Sequence, residues 1–174
     1  MLLALGAQRI AGDASAPPGT REAAAALRSG ADAAIADLRR VVNGVMPALL
    51  IERGLYAAAE DLVDRIPIPT DLDLRGSDRS LPTPVESTAY FVMAEAIANA
   101  VKHSRARELA VRLEQAGGCL SLEVRDDGIG GAVRNGSTGL RGITDRVDGL
   151  GGRLVVESPP GEGTRLLVEM PCGS

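Results

Sequence analysis

Apolar positions along this chain change their spacing twice. Residues 1–10 read as the end of a helix, cut by the breaker-rich stretch G-D-A-S-A-P-P-G at 12–19. Thr20 can cap a second helix through the Ala-rich segment that follows, where Leu27, Ala31, Ala34, Ile35 and Leu38 share one stripe. Two helices joined by a short turn predict a helical hairpin. Gly44 and Pro47 interrupt the second helix near its end, and a shorter amphipathic helix is expected over about 55–63. At Ile66 the pattern becomes extended. Ile66, Ile68, Leu72 and Leu74 suggest a strand, and Pro67 and Pro69 confine it to a sheet edge.

Pro84 then opens the longest helix, V-E-S-T-A-Y-F-V-M-A-E-A-I-A-N-A-V-K-H-S. The alternating runs E-L-A-V-R-L-E and C-L-S-L-E-V-R, separated by Q-A-G-G, predict a hairpin. A glycine-rich loop covers 128–139, helical spacing returns over 140–150, and the strands R-L-V-V-E-S and T-R-L-L-V-E-M are joined by P-P-G-E-G.

Composition narrows the function classes. With 174 residues, the chain holds one well-buried domain and a helical attachment rather than two ordinary domains. Apolar residues make up 45%, aromatics only 2%, and there is no Trp, so the core is aliphatic. A net charge of −4 and a pI near 5.1 argue against direct nucleic-acid binding. Cys119 and Cys172 are isolated, which suggests neither a disulfide framework nor a zinc site and fits a reducing cytoplasm. The apolar run 1–5 is broken by Gly6, Gln8 and Arg9, far short of a membrane span. The expectation is a cytoplasmic protein, or the cytoplasmic part of a membrane-bound sensor.

Four elements carry candidate chemistry. Glu95, Asn99 and Lys102, spaced i, i+4 and i+7, project from one helix face with His103 at its margin. Alone, such a face is more often merely solvated. Next, Asp126-Asp127-Gly128-Ile129-Gly130-Gly131 directly follows a strand-like run. A carboxylate there accepts hydrogen bonds and repels phosphate, so it suits a purine amino group, while glycines admit close backbone approach. Third, Gly136-Ser137-Thr138-Gly139-Leu140-Arg141-Gly142 enters a helix whose N–H groups could receive phosphate oxygens. Fourth, Thr164 in G-E-G-T could reach the Asp126 region. Each alone is a common turn or helix entry; their order is specific.

E-A-I-A-N-A-V-K-H, D-D-G-I-G-G, G-L-R-G-I-T-D-R-V and S-P-P-G-E-G-T together resemble the N box, G1 box, G2 box and final GT motif of the gyrase, heat-shock chaperone, histidine kinase and MutL superfamily. Residues 37–62 resemble the end of the dimerisation helices in sensor kinases of the nitrate-sensor type. The resemblance implies an α/β two-layer sandwich of the Bergerat type, with a mixed sheet covered by helices on one side. Residues 1–64 would be a partial dimerisation region and 65–174 the ATP-binding catalytic domain. It implies ATP and Mg²⁺ as cofactors. Asn99 would coordinate the metal, Glu95 would be the N-box acid assisting phosphoryl transfer, and Lys102 and His103 would face the phosphates. Asp126 would read the adenine amino group. Gly128 and Gly130 would shape its pocket, Gly139, Leu140 and Gly142 would form the hinge of a lid over 131–139, and Thr164 would support Asp126.

Two departures from the family pattern stand out. Kinases of this type carry the phosphoacceptor histidine in a segment resembling H-D-x-x-Q, and L-L-A-L-G-A-Q-R-I resembles the portion just after it. The chain's single histidine is His103, inside the N box. The expectation is a truncated or naturally split kinase that delivers phosphate to a histidine-bearing dimerisation domain, as a homodimer or heterodimer through helices, with a LuxR-type response regulator downstream. Asp127 also stands where many relatives carry Asn. Two alternatives remain open: an anti-sigma-factor serine kinase, against which the helical segment with M-P-A-L-L counts, and a non-catalytic ATP-binding or dimerisation module.

Overall fold

The computed structural model describes residues 47–77, 81–132 and 138–173, with five positions before residue 24. The chain divides into two compact units, Met1–Val45 and Met46–Ser174. Of the hairpin expected in the first unit, only residues 19, 20, 22 and 23 are described as helical; the rest lies outside the described residues.

The second unit is a two-layer α/β sandwich built on five strands. These are β1 (Thr70–Arg75), β2 (Leu109–Ala116), β3 (Cys119–Asp126), β4 (Arg153–Glu157) and β5 (Thr164–Pro171), in the spatial order β1-β2-β3-β5-β4. The β1–β2 pair is parallel and the other pairs are antiparallel, so the sheet is mixed. β1 occupies an edge, where the two prolines before it remove no ladder bond. Its pairing begins at Thr70 rather than Ile66, because Pro67 and Pro69 have no N–H to donate; Pro69 contributes only its carbonyl, which accepts the Leu109 N–H at 2.9 Å.

Period-two burial gives the sheet one covered face. Val111 and Leu113 on β2, Leu120, Leu122 and Val124 on β3, and Leu166, Val168 and Met170 on β5 all point into the core. Three helices close over them: α1 (Ala48–Asp64), α2 (Thr83–Asn99) and α3 (Thr138–Gly149). The opposite face carries charge, including Arg165 paired with Glu123 at 2.7 Å and with Glu157 at 3.3 Å. α1 is interrupted at Gly54 (φ 82°, ψ −178°), and the segment after the break matches the short helix expected over 55–63. α1 precedes the 64/65 boundary drawn from sequence, yet its Leu50, Leu55, Ala58 and Ala59 are buried in this unit.

α2 is the central helix. Val85, Ala89, Val92, Met93 and Ile97 are buried beneath it, and Phe91 is buried as well, with Tyr90 packed edge-on at 5.7 Å and the Arg146 guanidinium of α3 5.1 Å from the ring centroid. The chain's only Phe therefore helps seat α3 against α2.

Leu122 sits fully buried in the middle strand between Leu113 and Val168. Leu122→Ala is expected to lower unfolding free energy by about 2–5 kcal/mol in chemical denaturation. A loss near zero would mean that this face is not the core.

Candidate functional site

On β3 the inward row Leu120, Leu122, Val124 continues to Asp126, so a carboxylate takes a position where period two calls for another aliphatic side chain. Asp126 is only 7% exposed. Its Oδ1 accepts the N–H of Gly128 at 2.9 Å. Across the ladder, Thr164 pairs with Asp126, Leu166 with Val124, and Val156 of β4 with Leu166. These residues form the floor of a cavity of about 400 Å³, within the roughly 300–1,000 Å³ of small-molecule sites. Ala96, Asn99, Ala100, His103 and Ser104 form the helical wall, and Gly130, Gly131 and Ala132 the loop wall.

The helical wall depends on a change of pitch. After Asn99 the chain continues as a π turn, Ala100–Ser104, and leaves it through Arg105 in the left-handed region (φ 56°). Uniform α spacing, at about 100° per residue, would keep both Lys102 and His103 within about 60° of Asn99. A wider turn rotates the chain less per residue, so His103, four residues on, stays on the face of Asn99 while Lys102, three residues on, swings away from it. His103 accordingly lines the cavity, while Lys102 lies outside the lining on the exposed side of the turn. Glu95 is half-buried one α turn before Asn99, also outside the lining.

Backbone bonds stitch the loop after β3 to both sides. Ile129 donates its N–H to Ser104 O at 2.8 Å, Gly161 donates to Ile129 O at 2.7 Å, and Gly131 donates to Ser158 O at 2.9 Å. The fit leaves no room at two glycines. A Cβ on Gly128 would lie 2.3 Å from Ser104 O, and one on Gly130, whose φ is +61°, would lie 2.0 Å from Pro159 O. The Ser104 hydroxyl donates to Ala100 O at 2.7 Å and accepts the Ala106 N–H at 3.0 Å, which secures the exit from the π turn.

Asp127 points away from the cavity lining. Its Oδ1 accepts the N–H groups of Arg107 at 2.7 Å and Glu108 at 3.0 Å, tying the loop to the start of β2. Those bonds, first from Glu108 and then from Arg107, hold its carboxyl below the ordinary Asp range. An Asn at this position would offer the same acceptor oxygen.

Asn99, His103, Asp126, Gly130 and Thr164 thus meet around one cavity, with Gly128 packed against Ser104 at its margin. The Thr164 hydroxyl hydrogen-bonds Ser158 Oγ at 2.9 Å, while its link to Asp126 is the strand pairing. Gly142 is exposed on α3, and Gly139 and Leu140 belong to that helix's first turn. Residues 133–137 of the expected lid lie outside the described residues. Ser104, the last letter of the long predicted helix, and Ser158, the last of R-L-V-V-E-S and first of S-P-P-G-E-G-T, carry no role in the motifs, because neither stands out in a periodic pattern.

A model of the family described as histidine kinase-, DNA gyrase B- and HSP90-like ATPase matches residues 85–174, a little over half of the 174 residues and the whole of the cavity wall. The chain belongs to this ATPase family. Proteins it is similar to include named sensor histidine kinases. It is 32% identical over 133 residues to the sensor histidine kinase ComP of Bacillus subtilis, a match covering 71% of this chain and 17% of that protein. It is 29% identical over 154 residues to the nitrate/nitrite sensor protein NarX of Escherichia coli, covering 85% of this chain and 26% of NarX. The chain therefore spans about a quarter or less of these relatives. The histidine kinase domain of a blue-light activated kinase from Erythrobacter litoralis shares the fold, with a TM-score of 0.53 at 18% identity over 98% of this chain and 95% of that one.

In this histidine-kinase-type ATPase domain, the Asp127 bonds give a pH signature. A depressed folded-state pKa adds stability that is present above the ordinary Asp value, near 3.9, and is lost as pH falls through the folded value. In denaturant titrations Asp127→Asn should stay close to wild type at pH 7 and lose less stability below about pH 4. Asp127→Ala should be weaker already at pH 7, and equal stability of Ala and wild type would refute the anchoring role.

Proposed function

We propose that this domain binds ATP with Mg²⁺ in the cavity and delivers the γ-phosphoryl group to a histidine of a sensor-kinase dimerisation domain. The observation that carries the proposal is the buried carboxylate of Asp126 set into an aliphatic floor of Val124, Leu166 and Val156, with Asn99 on the facing wall. A flat, apolar ring with an amino group fits that combination, since the ring is desolvated against methyl groups while the amino group meets an acceptor. The glycines at 128 and 130 keep side chains out of the place where the loop meets the site.

The residues divide the work by position. Asp126 accepts the adenine amino hydrogen and selects the base. Asn99 offers an amide oxygen to Mg²⁺, and no cluster of three His, Cys, Asp or Glu side chains able to hold a metal occurs among the described residues. Mg²⁺ in nucleotide sites keeps several waters and few protein ligands beside the substrate phosphates, so Asn99 would need to supply only one oxygen. Bound there, Mg²⁺ would neutralise phosphate charge, which is most of what phosphoryl transfer requires. His103 and Lys102 add positive or hydrogen-bonding groups beside the phosphates, and Glu95, one turn earlier on α2, supplies a carboxylate to the attacking imidazole. Gly139, Leu140 and Gly142 would hinge the lid at the head of α3.

The wider reading follows the relatives. Residues 1–64 would serve as the dimerisation region, with α1 shared between that role and the core, and 65–174 as the catalytic domain. A LuxR-type response regulator would receive the phosphoryl group downstream, on the cytoplasmic side. Among the described residues no helix is long and apolar enough to cross a membrane.

Two measurements test the proposal. Calorimetric titration with ADP and Mg²⁺ should show Asp126→Asn binding at least about tenfold more weakly than wild type, because a hydrogen bond to a charged acceptor is replaced by one to a neutral acceptor. The fold survives the change, since Asn can still accept the Gly128 N–H; unchanged affinity would remove the adenine assignment. Incubation with labelled ATP should leave this chain unlabelled, its one histidine lying in the cavity wall. Adding a separately made dimerisation helix bearing H-D-x-x-Q should give acid-labile label on that partner. Label on this chain alone would contradict the assignment, and an unlabelled partner would favour a non-catalytic module.

A further inference from the structure

The loop wall of the cavity and Thr164 on its floor come from different parts of the chain, and one side chain joins them. Ser158, at the end of β4, accepts the Ala132 N–H on Oγ at 2.9 Å and shares a hydrogen bond of 2.9 Å with Thr164 Oγ1. Its carbonyl accepts the Gly131 N–H at 2.9 Å. Gly131, Ala132 and Thr164 all line the cavity, whereas Ser158 does not. A serine hydroxyl has one proton and two lone pairs. With one lone pair committed to Ala132, the remaining proton and lone pair are divided between Thr164 and the Gly163 carbonyl, which lies 3.4 Å away. The orientation of the Thr164 hydroxyl is thereby coupled to the position of Ala132.

We infer that Ser158 is a positioning residue for the nucleotide site: through its hydroxyl it fixes the hydroxyl of Thr164, the strand partner of Asp126, and anchors the loop wall at Ala132. The inference rests on the nucleotide reading above and extends it to a residue that touches no ligand. Its consequence is cooperative. Removing the Ser158 hydroxyl releases the Ala132 N–H and the Thr164 hydroxyl together, so the floor and the loop wall share one anchor. The backbone bond from Gly131 persists in any variant at 158, so the effect of removing the hydroxyl is confined to Ala132 and Thr164.

The test compares wild type, Ser158→Ala, Ser158→Thr, Thr164→Val and the double variant Ser158→Ala/Thr164→Val, all as the full chain. Amide exchange is read without nucleotide, and ADP affinity is read by calorimetry. Ser158→Ala should speed exchange of the Ala132 amide while that of Leu122, in the middle strand, stays at the wild-type rate. ADP affinity should fall about five- to thirtyfold, the worth of one or two hydrogen bonds. Ser158→Thr, which keeps the hydroxyl, should restore both. The double variant should lose no more affinity than the worse single variant, because the two hydroxyls act as one unit. A purely structural role would instead speed Leu122 exchange together with Ala132 and give additive losses. Wild type that binds no ADP would overturn the nucleotide reading on which the inference depends. Wild type that binds ADP, alongside a Ser158→Ala protein matching it in affinity and in Ala132 exchange, would overturn the role of Ser158 alone.

Discussion

A buried carboxylate has to be met by hydrogen bonds, and much of the architecture around Asp126 answers that demand. The side chain stands at the end of an aliphatic row on β3, 7% exposed. The chain turns back at once so that the Gly128 N–H reaches Oδ1, and the turn is possible only because residue 128 lacks a side chain that would strike Ser104 O. Thr164 faces Asp126 across the ladder, and Asp127 points the opposite way to fasten the same turn to β2. One acidic residue in an apolar row thus fixes the glycine at 128 and the tight turn around it.

The opposite wall is organised by the π turn at Ala100–Ser104. The wider turn swings Lys102 off the cavity face, keeps His103 on it, and ends at Ser104, whose carbonyl accepts the Ile129 N–H and closes the seam with the glycine loop. π turns inside helices are rare and concentrate where function demands a local change of pitch.

Much of this was legible in the chain itself. The period-two runs on β2, β3 and β5, the turn glycines at 117 and 118 and the proline start of α2 are local signals, and each element formed close to its expected bounds. The cluster of Asn99, His103, Asp126, Gly130 and Thr164 was legible because four short motifs occur in one order. The displacement of Lys102 from the lining was not, because spacing arithmetic assumes a constant pitch. The roles of Ser104 and Ser158 were hidden for another reason. Their partners, Ile129 for the first and Ala132 and Thr164 for the second, are fixed by tertiary approach and leave no trace in periodicity. The depth to which α1 enters the core was likewise invisible, since a short amphipathic helix looks the same whichever surface receives it.

The strand order carries a kinetic meaning. β2 and β3 adjoin through a two-glycine turn and can pair early, but β3 meets β5 only after α3 and β4 have been traversed, and β1 meets β2 only across α2. The floor of the cavity is made by that distant β3–β5 pairing, so the local β2–β3 hairpin does not by itself contain the site. Whatever occupies the finished cavity therefore adds its binding free energy to the whole domain, and cellular nucleotide concentration becomes one of the terms that set how long the folded protein survives.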